Sequence, residues 1–338
     1  MASVKGQSRT TEPIEINGRH GWIPIAFVGN GDYIVGGDGD KIRRWQVNDG
    51  KEVGQPTDVG TNVYSIAVSR DGKWIVGGTG RGRVVVWDAE SHEKASEFKG
   101  HNEGAPKVDI SPGATRVASG SIDATVRVWS RSTGEQLLGP LEHDNWVAAV
   151  KFSPNGQFIA TATWMRESVR IYDSRDGRLL FDSPIKVGSA YNESLAWVSD
   201  SKQLFALSRD GKVHCLDATN GQILSEWAIH SNDASCISLA SNGAFIATSA
   251  GSSVSFWDTA TRTQIGPFIH HPVNVRYMAI SANDDIVLSG GGKIILRKLF
   301  DILPSPHFDN VGVFRCQRDP IHHDSLAATD ARSHPPVG

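Results

Sequence analysis

The chain has 338 residues and a formal net charge of −3, with no clustering of Lys and Arg. It therefore lacks the basic footprint of a nucleic-acid binder and the polybasic signal of a membrane-surface protein. Three cysteines, Cys215, Cys236 and Cys316, are scattered without metal-ligand or disulfide-framework spacing, which suits a reducing compartment. The opening MASVKGQSRTTEP carries no apolar stretch, and no segment reaches the roughly 18 apolar residues of a membrane helix, so the expectation is a soluble intracellular chain, cytoplasmic or nuclear.

In chain order, residues 1–11 are polar and are expected to be loose, and Glu12–Ile16 reads as a short strand. A phrase then begins to recur: two runs rich in β-branched residues around a small, polar turn, the pattern of a hairpin. Its copies are IVGGDGDKIRRW (34–45), IVGGTGRGRVVVWD (75–88), VASGSIDATVRVW (117–129), IATATWMRESVRIYD (159–173), FALSRDGKVHCLD (205–217), IATSAGSSVSFWD (246–258) and VLSGGGKIILR (287–297). They close at Trp45, Trp87, Trp129, Tyr172, Leu216, Trp257 and Arg297, at intervals of 42, 42, 43, 44, 41 and 40 residues. So steady a period marks a repeat architecture. Each unit opens with an apolar strand such as 146–152, then a turn such as Ser153–Gly156. The hairpin phrase and an outer strand such as 135–138 follow. Four short strands per unit make one antiparallel sheet. Residues 300–338 leave the period: Phe300–Leu303 and Phe308 are expected to dock on the last unit, and the chain from about Arg315 to be disordered.

The motifs VWD (86–88), FWD (256–258), GH (100–101) and FSPNG (152–156) resemble those of WD-repeat (beta-transducin-like) proteins, over residues 12–299. The resemblance implies an all-β fold, a seven-bladed β-propeller of four-stranded antiparallel blades, in which the strand at Glu12–Ile16 completes the last blade. It also implies a structural tetrad in blade three: His101, Ser119 (or Ser121), Asp123 and Trp129. A buried carboxylate and imidazole need such partners to offset desolvation. Counting back from the closing residues, the Asp123 position reads Gly39, Arg81, Gly251 and Gly291 in blades one, two, six and seven, while blade five keeps Asp210.

Little in the sequence supports catalysis. The Gly-rich runs 36–39 and 77–82 sit inside hairpins and open no helix that would hold a phosphate. His101, His143, His230 and His270 recur at one place in their units, as structural residues do. His322 and His323 near Cys316 lack the second motif of a metal site. No cofactor and no metal are expected. An enzyme with a channel active site would need convergent acids or bases, but the aligned positions at the mouth read Gly21, Asn62, Gly104, Trp146, Asn192, Asp233 and Asn274.

Propeller geometry places the loop before each inner strand and the hairpin turn on one narrow face. Candidate partner-binding residues there are Trp146, Trp164, Met165 and Arg166 of blade four, Ile122 of blade three and Arg209 of blade five. Tyr64 and Arg276 stand at the equivalent of Ala148. Trp, Tyr and Arg are the types that concentrate binding energy. The alternative for Trp146 and Trp164 is that they pack on each other and merely cover blade four. The expected function is a non-catalytic, monomeric scaffold that binds a peptide or protein partner, but no nucleic acid and no membrane. GPLEH (139–143) and GPFIH (266–270) also resemble the WD arrays of fungal NTPase-linked receptors, which would make the chain a stand-alone ligand-sensing propeller.

Overall fold

A computed structural model describes residues 12–104, 107–164, 167–187, 194–229, 234–281 and 285–303. The described residues are all-β: among them 28 strands form seven four-stranded antiparallel sheets. Six sheets each use four strands consecutive in sequence. The first is Ile25–Val28, Tyr33–Asp38, Lys41–Gln46 and Thr57–Asp58; the fourth is Val147–Phe152, Phe158–Thr163, Glu167–Asp173 and Leu179–Lys186. The seventh is composite. Tyr277–Ile280, Asp285–Gly290 and Lys293–Lys298 are completed by Ile14–Asn17, which pairs Ile14 with Leu296 and Asn17 with Lys293. The expected closing strand is present, shifted to Ile14–Asn17. The sheets are the blades of a β-propeller and are numbered in chain order.

The period-2 pattern of each strand buries its faces between neighbouring blades rather than in one central core. Val76, Val86 and Phe98 of blade two cluster with Val108, Val117 and Trp129 of blade three, and the Phe98 and Trp129 rings stack at 5.6 Å. Trp45, Trp87, Trp129 and Trp257, which close their phrases, are all at most 9% exposed and belong to these cores. Ile16, Ile294, Leu296 and Tyr277 of blade seven pack on Ile23, Ile25, Ile34 and Trp45 of blade one, so both ends of the array share an interface. Each fully buried aliphatic side chain contributes roughly 1.5–3 kcal/mol. After the last strand, Leu299 and Leu303 join the cluster between blades six and seven, whereas Phe300, expected to dock there, is 58% exposed. Phe308 and Cys316 lie outside the described residues.

The hairpin turns fall into two classes. Blades two, three and five have three-residue loops whose last residue takes positive φ: Gly82, Ala124 and Gly211. Blades one, six and seven pair Asp38 with Lys41, Ala250 with Ser253 and Gly290 with Lys293, leaving two-residue turns. This corrects the alignment at the Asp123 position. Blades one, six and seven do not replace the aspartate with glycine; their turns are one residue shorter and offer no place for it.

Candidate partner-binding face

Inner strands run from the loop preceding them toward turns such as Ser153–Gly156, so the preceding loops and the hairpin turns share one face. A cavity of about 680 Å³ opens at the opposite end of the channel, lined by Arg70, Pro112, Lys151, Asn155 and Ser201.

In blade three the loop is fastened by the expected tetrad. The Nδ1 of His101 donates to the Asp123 carboxylate at 3.0 Å, and its Nε2 accepts from Ser119 Oγ at 2.8 Å. Ser119 Oγ accepts in turn from Trp129 Nε1 at 2.9 Å. Of the two serines considered, Ser119 therefore belongs to the set. Ser121 instead donates to the Gly104 carbonyl at 2.7 Å. Asp123 also accepts from the Asn102 N–H at 3.0 Å, which ties loop to turn.

Blade one does the same work with a different aspartate. Asp38, at the end of its second strand and with its side chain 1% exposed, accepts from the backbone N–H groups of Arg19 and His20 and from His20 Nδ1, at 2.8–3.0 Å. Arg43 balances its charge, with Nε at 3.0 Å, and pairs onward with Glu52 at 2.7 Å. The His20 ring lies over the turn at Gly39: a Cβ built there would stand 2.4 Å from His20 Cε1, and φ is +69°. Only glycine fits.

The other blades use partial sets. In blade four, His143 donates Nδ1–H to the Leu141 carbonyl at 3.0 Å and accepts from Thr161 Oγ1 at 2.9 Å. Burial pushes its pKa down to about 4, with the Leu141 carbonyl, Asp144 and Asp182 only partly opposing the shift. His101 is lowered too, by burial, with Asp123 opposing the shift. In blade five, Asp210 accepts from Ser208 Oγ at 2.5 Å, and the histidine on Ser208 is His214 of the third strand, at 3.1 Å. In blade seven the buried histidine is His271, 3% exposed, whose N–H donates to the Ser252 carbonyl as that of His143 does to Ala124. His270, to which sequence alignment gave this role, is at the surface. Ile229 holds the corresponding position in blade six, and His230 lies outside the described residues.

Of the candidate binding residues, Trp146 and Trp164 are both half-buried and stack on each other, with centroids 4.8 Å apart and planes 20° apart. Trp164 N–H donates to the Trp146 carbonyl, and its ring also packs on the cluster between blades four and five. Mutual packing is thus real for this pair. Met165 and Arg166, like Asn192 and Asp233, lie outside the described residues. Tyr64 and Ala148 are bulge residues in their inner strands, each skipped in the pairing with the second strand. A bulge re-aims its side chain. Tyr64 is turned over the next hairpin, where a Cβ at Gly80 would lie 2.8 Å from its Cε2. Ile122 N–H donates to the Gly104 carbonyl, and Gly104 packs near both Gly80 and the Ile122 side chain. Arg209 is exposed on blade five, its N–H donating to the Lys186 carbonyl.

One residue escaped the alignment. The inner strand of blade one pairs Ile25 with Gly36 and has no bulge, so Trp22, rather than Gly21, comes level with Trp146 and Asn62. Trp22 is 39% exposed, and the Arg276 guanidinium stands 5.2 Å from its ring centroid. Trp22 and Tyr64, with His20, Gly21, Gly39 and Asn62, line a pocket of about 310 Å³. Tyr277 Oη donates to the Tyr64 carbonyl at 3.0 Å, linking blades seven and two across the start of the ring. Arg276, Trp22 and Tyr64 thus form one neighbourhood. Among the described residues no group of three or more His, Cys, Asp or Glu is arranged to hold a metal ion.

Comparison with known proteins finds the family model "WD domain, G-beta repeat" at residues 54–88, 92–130 and 135–173. The model "Anaphase-promoting complex subunit 4 WD40 domain" matches residues 185–242. Among curated relatives, Actin-interacting protein 1 of Drosophila melanogaster is 31% identical over 210 residues, covering 59% of this chain and 34% of that protein. Protein groucho of Drosophila melanogaster is 30% identical over 131 residues, 38% of this chain and 18% of that protein. Transducin-like enhancer protein 2 of Mus musculus is 28% identical over 154 residues, 42% and 20% respectively. The chain spans between about a fifth and a third of the length of these relatives.

Proposed function

We propose that the chain is a WD-repeat protein, a seven-bladed interaction scaffold that binds a peptide or protein partner on the face formed by the loops before the inner strands. The observation that carries this reading is a division among the aromatic residues. The tryptophans that close the hairpins, Trp45, Trp87, Trp129 and Trp257, are buried, whereas Trp22, Tyr64, Trp146 and Trp164 gather at the mouth only partly covered. Aromatic side chains left at a surface with arginines beside them are the usual anchors of protein recognition. The relatives named above support a scaffold role. In this reading the protein performs no chemistry on its partner. It works in the cytoplasm or nucleus as a single propeller in a larger complex.

The test is an affinity pull-down with the wild type, a Trp146→Ala/Trp164→Ala variant and a Trp22→Ala/Tyr64→Ala variant of matched melting temperature. Loss of the same prey from either variant supports the face as the binding surface. Prey retained by both variants removes it. A sharp fall in melting temperature for the blade-four variant alone would make that stacked pair a packing element and leave the partner to blades one and two.

A further inference from the structure

The pocket between blades one and two is more defined than a general sticky face, and its surroundings specify an occupant. On the reading that this face binds a partner, we propose that the pocket takes one large apolar or aromatic side chain of an extended peptide whose neighbouring residues are acidic.

The volume of about 310 Å³ is at the lower end of ligand pockets and suits one side chain. Its walls are Trp22, Tyr64 and Val63, with His20 and Asn62 supplying polar edges. Two features make it a built cavity. The His20 ring is held upright by Asp38, itself buried and charge-balanced by Arg43. Gly39 and Gly80 leave the space into which the His20 and Tyr64 rings fold.

An aromatic pair at a pocket accepts either a cation or an apolar group. The charges here separate the two. Arg276 already stands over Trp22, so a second cation would meet like charge in that place. Beyond the wall of His20, Asn62 and Tyr64 lies a second hollow of about 490 Å³, lined in addition by Arg81 and Asp40. Arg81 is exposed and Asp40 half-buried. Asp38, the other carboxylate nearby, is consumed by its own partners. A side chain seated between Trp22 and Tyr64 therefore has an arginine on each side. Carboxylates flanking it would reach Arg276 in one direction and Arg81 in the other, and basic flanks would meet repulsion at Arg276, while Arg81 shares its hollow with Asp40.

The experiment is fluorescence anisotropy with four labelled pentapeptides: Phe flanked on both sides by two Asp, Phe flanked by two Lys, Ala flanked by two Asp, and trimethyl-lysine flanked by two Gly. The acidic Phe peptide should bind tightest and weaken as NaCl is raised. Trp22→Ala should weaken it about tenfold or more, the scale of an anchor lost from an interface. Arg276→Glu should weaken it and relieve the discrimination against the Lys-flanked peptide. Asn62→Tyr, which fills the pocket from an exposed position, guards against a Trp22→Ala variant that fails to fold and should also abolish binding. Leu224→Ala, an exposed residue on the outer strand of blade five, should leave binding unchanged. Tightest binding of the trimethyl-lysine or Lys-flanked peptide would overturn the proposal. So would equal binding of the Ala and Phe peptides, binding untouched by both Trp22→Ala and Asn62→Tyr, or no binding of the acidic Phe peptide. If these peptides fail while the pull-down still loses prey from the mouth variants, the occupant is wrong and the face stands. If the pull-down is unaffected, the face itself falls.

Discussion

Blades three and one meet the same demand, fixing the loop before the inner strand to the hairpin turn, with opposite economies of charge. In blade three the aspartate sits in the turn, and the load passes through neutral groups, His101, Ser119 and Trp129. In blade one the turn has lost a residue, and the aspartate retreats into the strand as Asp38, buried against an arginine. The first arrangement seals the loop into the blade. The second leaves the histidine ring standing over a glycine at the edge of a pocket. A shortened turn therefore changes the surface of the propeller without changing its architecture.

The largest expected difference between the two blades comes from removing each aspartate. Asp38→Ala leaves the buried Arg43 guanidinium with Glu52 alone and the Arg19 and His20 N–H groups without their acceptor, and should cost about 3–5 kcal/mol, as a broken buried ion pair does. Asp123→Ala leaves only neutral donors unsatisfied and should cost about 1–3 kcal/mol. Urea denaturation of both variants measures the gap, and equal losses would erase the distinction.

Protonation probes the buried histidines. His143 titrates near 4 when folded against 6.5 when free. The unfolded chain thus binds the proton first as pH falls, so this contribution is complete above pH 6.5 and declines toward pH 4. By pH 4 its loss amounts to about 3 kcal/mol. The lowered pKa values of His101, His214 and His271 act in the same direction. Melting temperatures recorded from pH 7 to pH 4 should fall steadily, and His143→Gln should flatten the slope. A flat wild-type profile would show that these histidines are open to protons in the native state.

Gly39→Ala addresses the turn itself. The methyl group meets the His20 ring and disfavours the required φ, for an expected loss of about 1–3 kcal/mol. It should also alter the quenching of Trp22 fluorescence by iodide, because the pocket wall moves. The smallest effect belongs to Ala124, which holds φ +62° in the blade-three turn. Ala124→Gly relieves that strain but loosens the unfolded chain, and stability should change by no more than about 0.5 kcal/mol.

Much of this was open to reading from residue types alone. The period and the apolar closing positions follow from alternation and spacing, whereas the composite blade and the tetrad of blade three are implied by the resemblance to WD-repeat proteins. What escaped came from single insertions and deletions that spacing cannot locate. Counting back six residues from Trp45 lands on Gly39, and nothing in the residues announces that the turn has contracted and that Asp38 has taken over. The unbulged inner strand of blade one likewise moves Trp22 into the row where alignment placed Gly21. The register at Ile25 and Gly36 reveals the shift, and no local composition does. His270 and His271 are adjacent and chemically alike, so only burial separates the structural residue from the surface one. For Trp146 and Trp164 the sequence admitted both contact with a partner and mutual packing. The stack settles the second without deciding the first.

The pairing of Ile14–Asn17 with Lys293–Leu296 bears on how the chain reaches its native state. As the polypeptide emerges from the ribosome, six blades can assemble from neighbouring segments while the earliest strand still lacks its mate. That strand must wait, with Ile14 and Ile16 in water, until nearly the whole array has been synthesised. Ring closure is thus the contact of highest sequence separation in the molecule and a natural last step in folding. Until it occurs, blades one and seven present unprotected flanks, and the nascent chain is most open to chaperones and to mispairing with other copies.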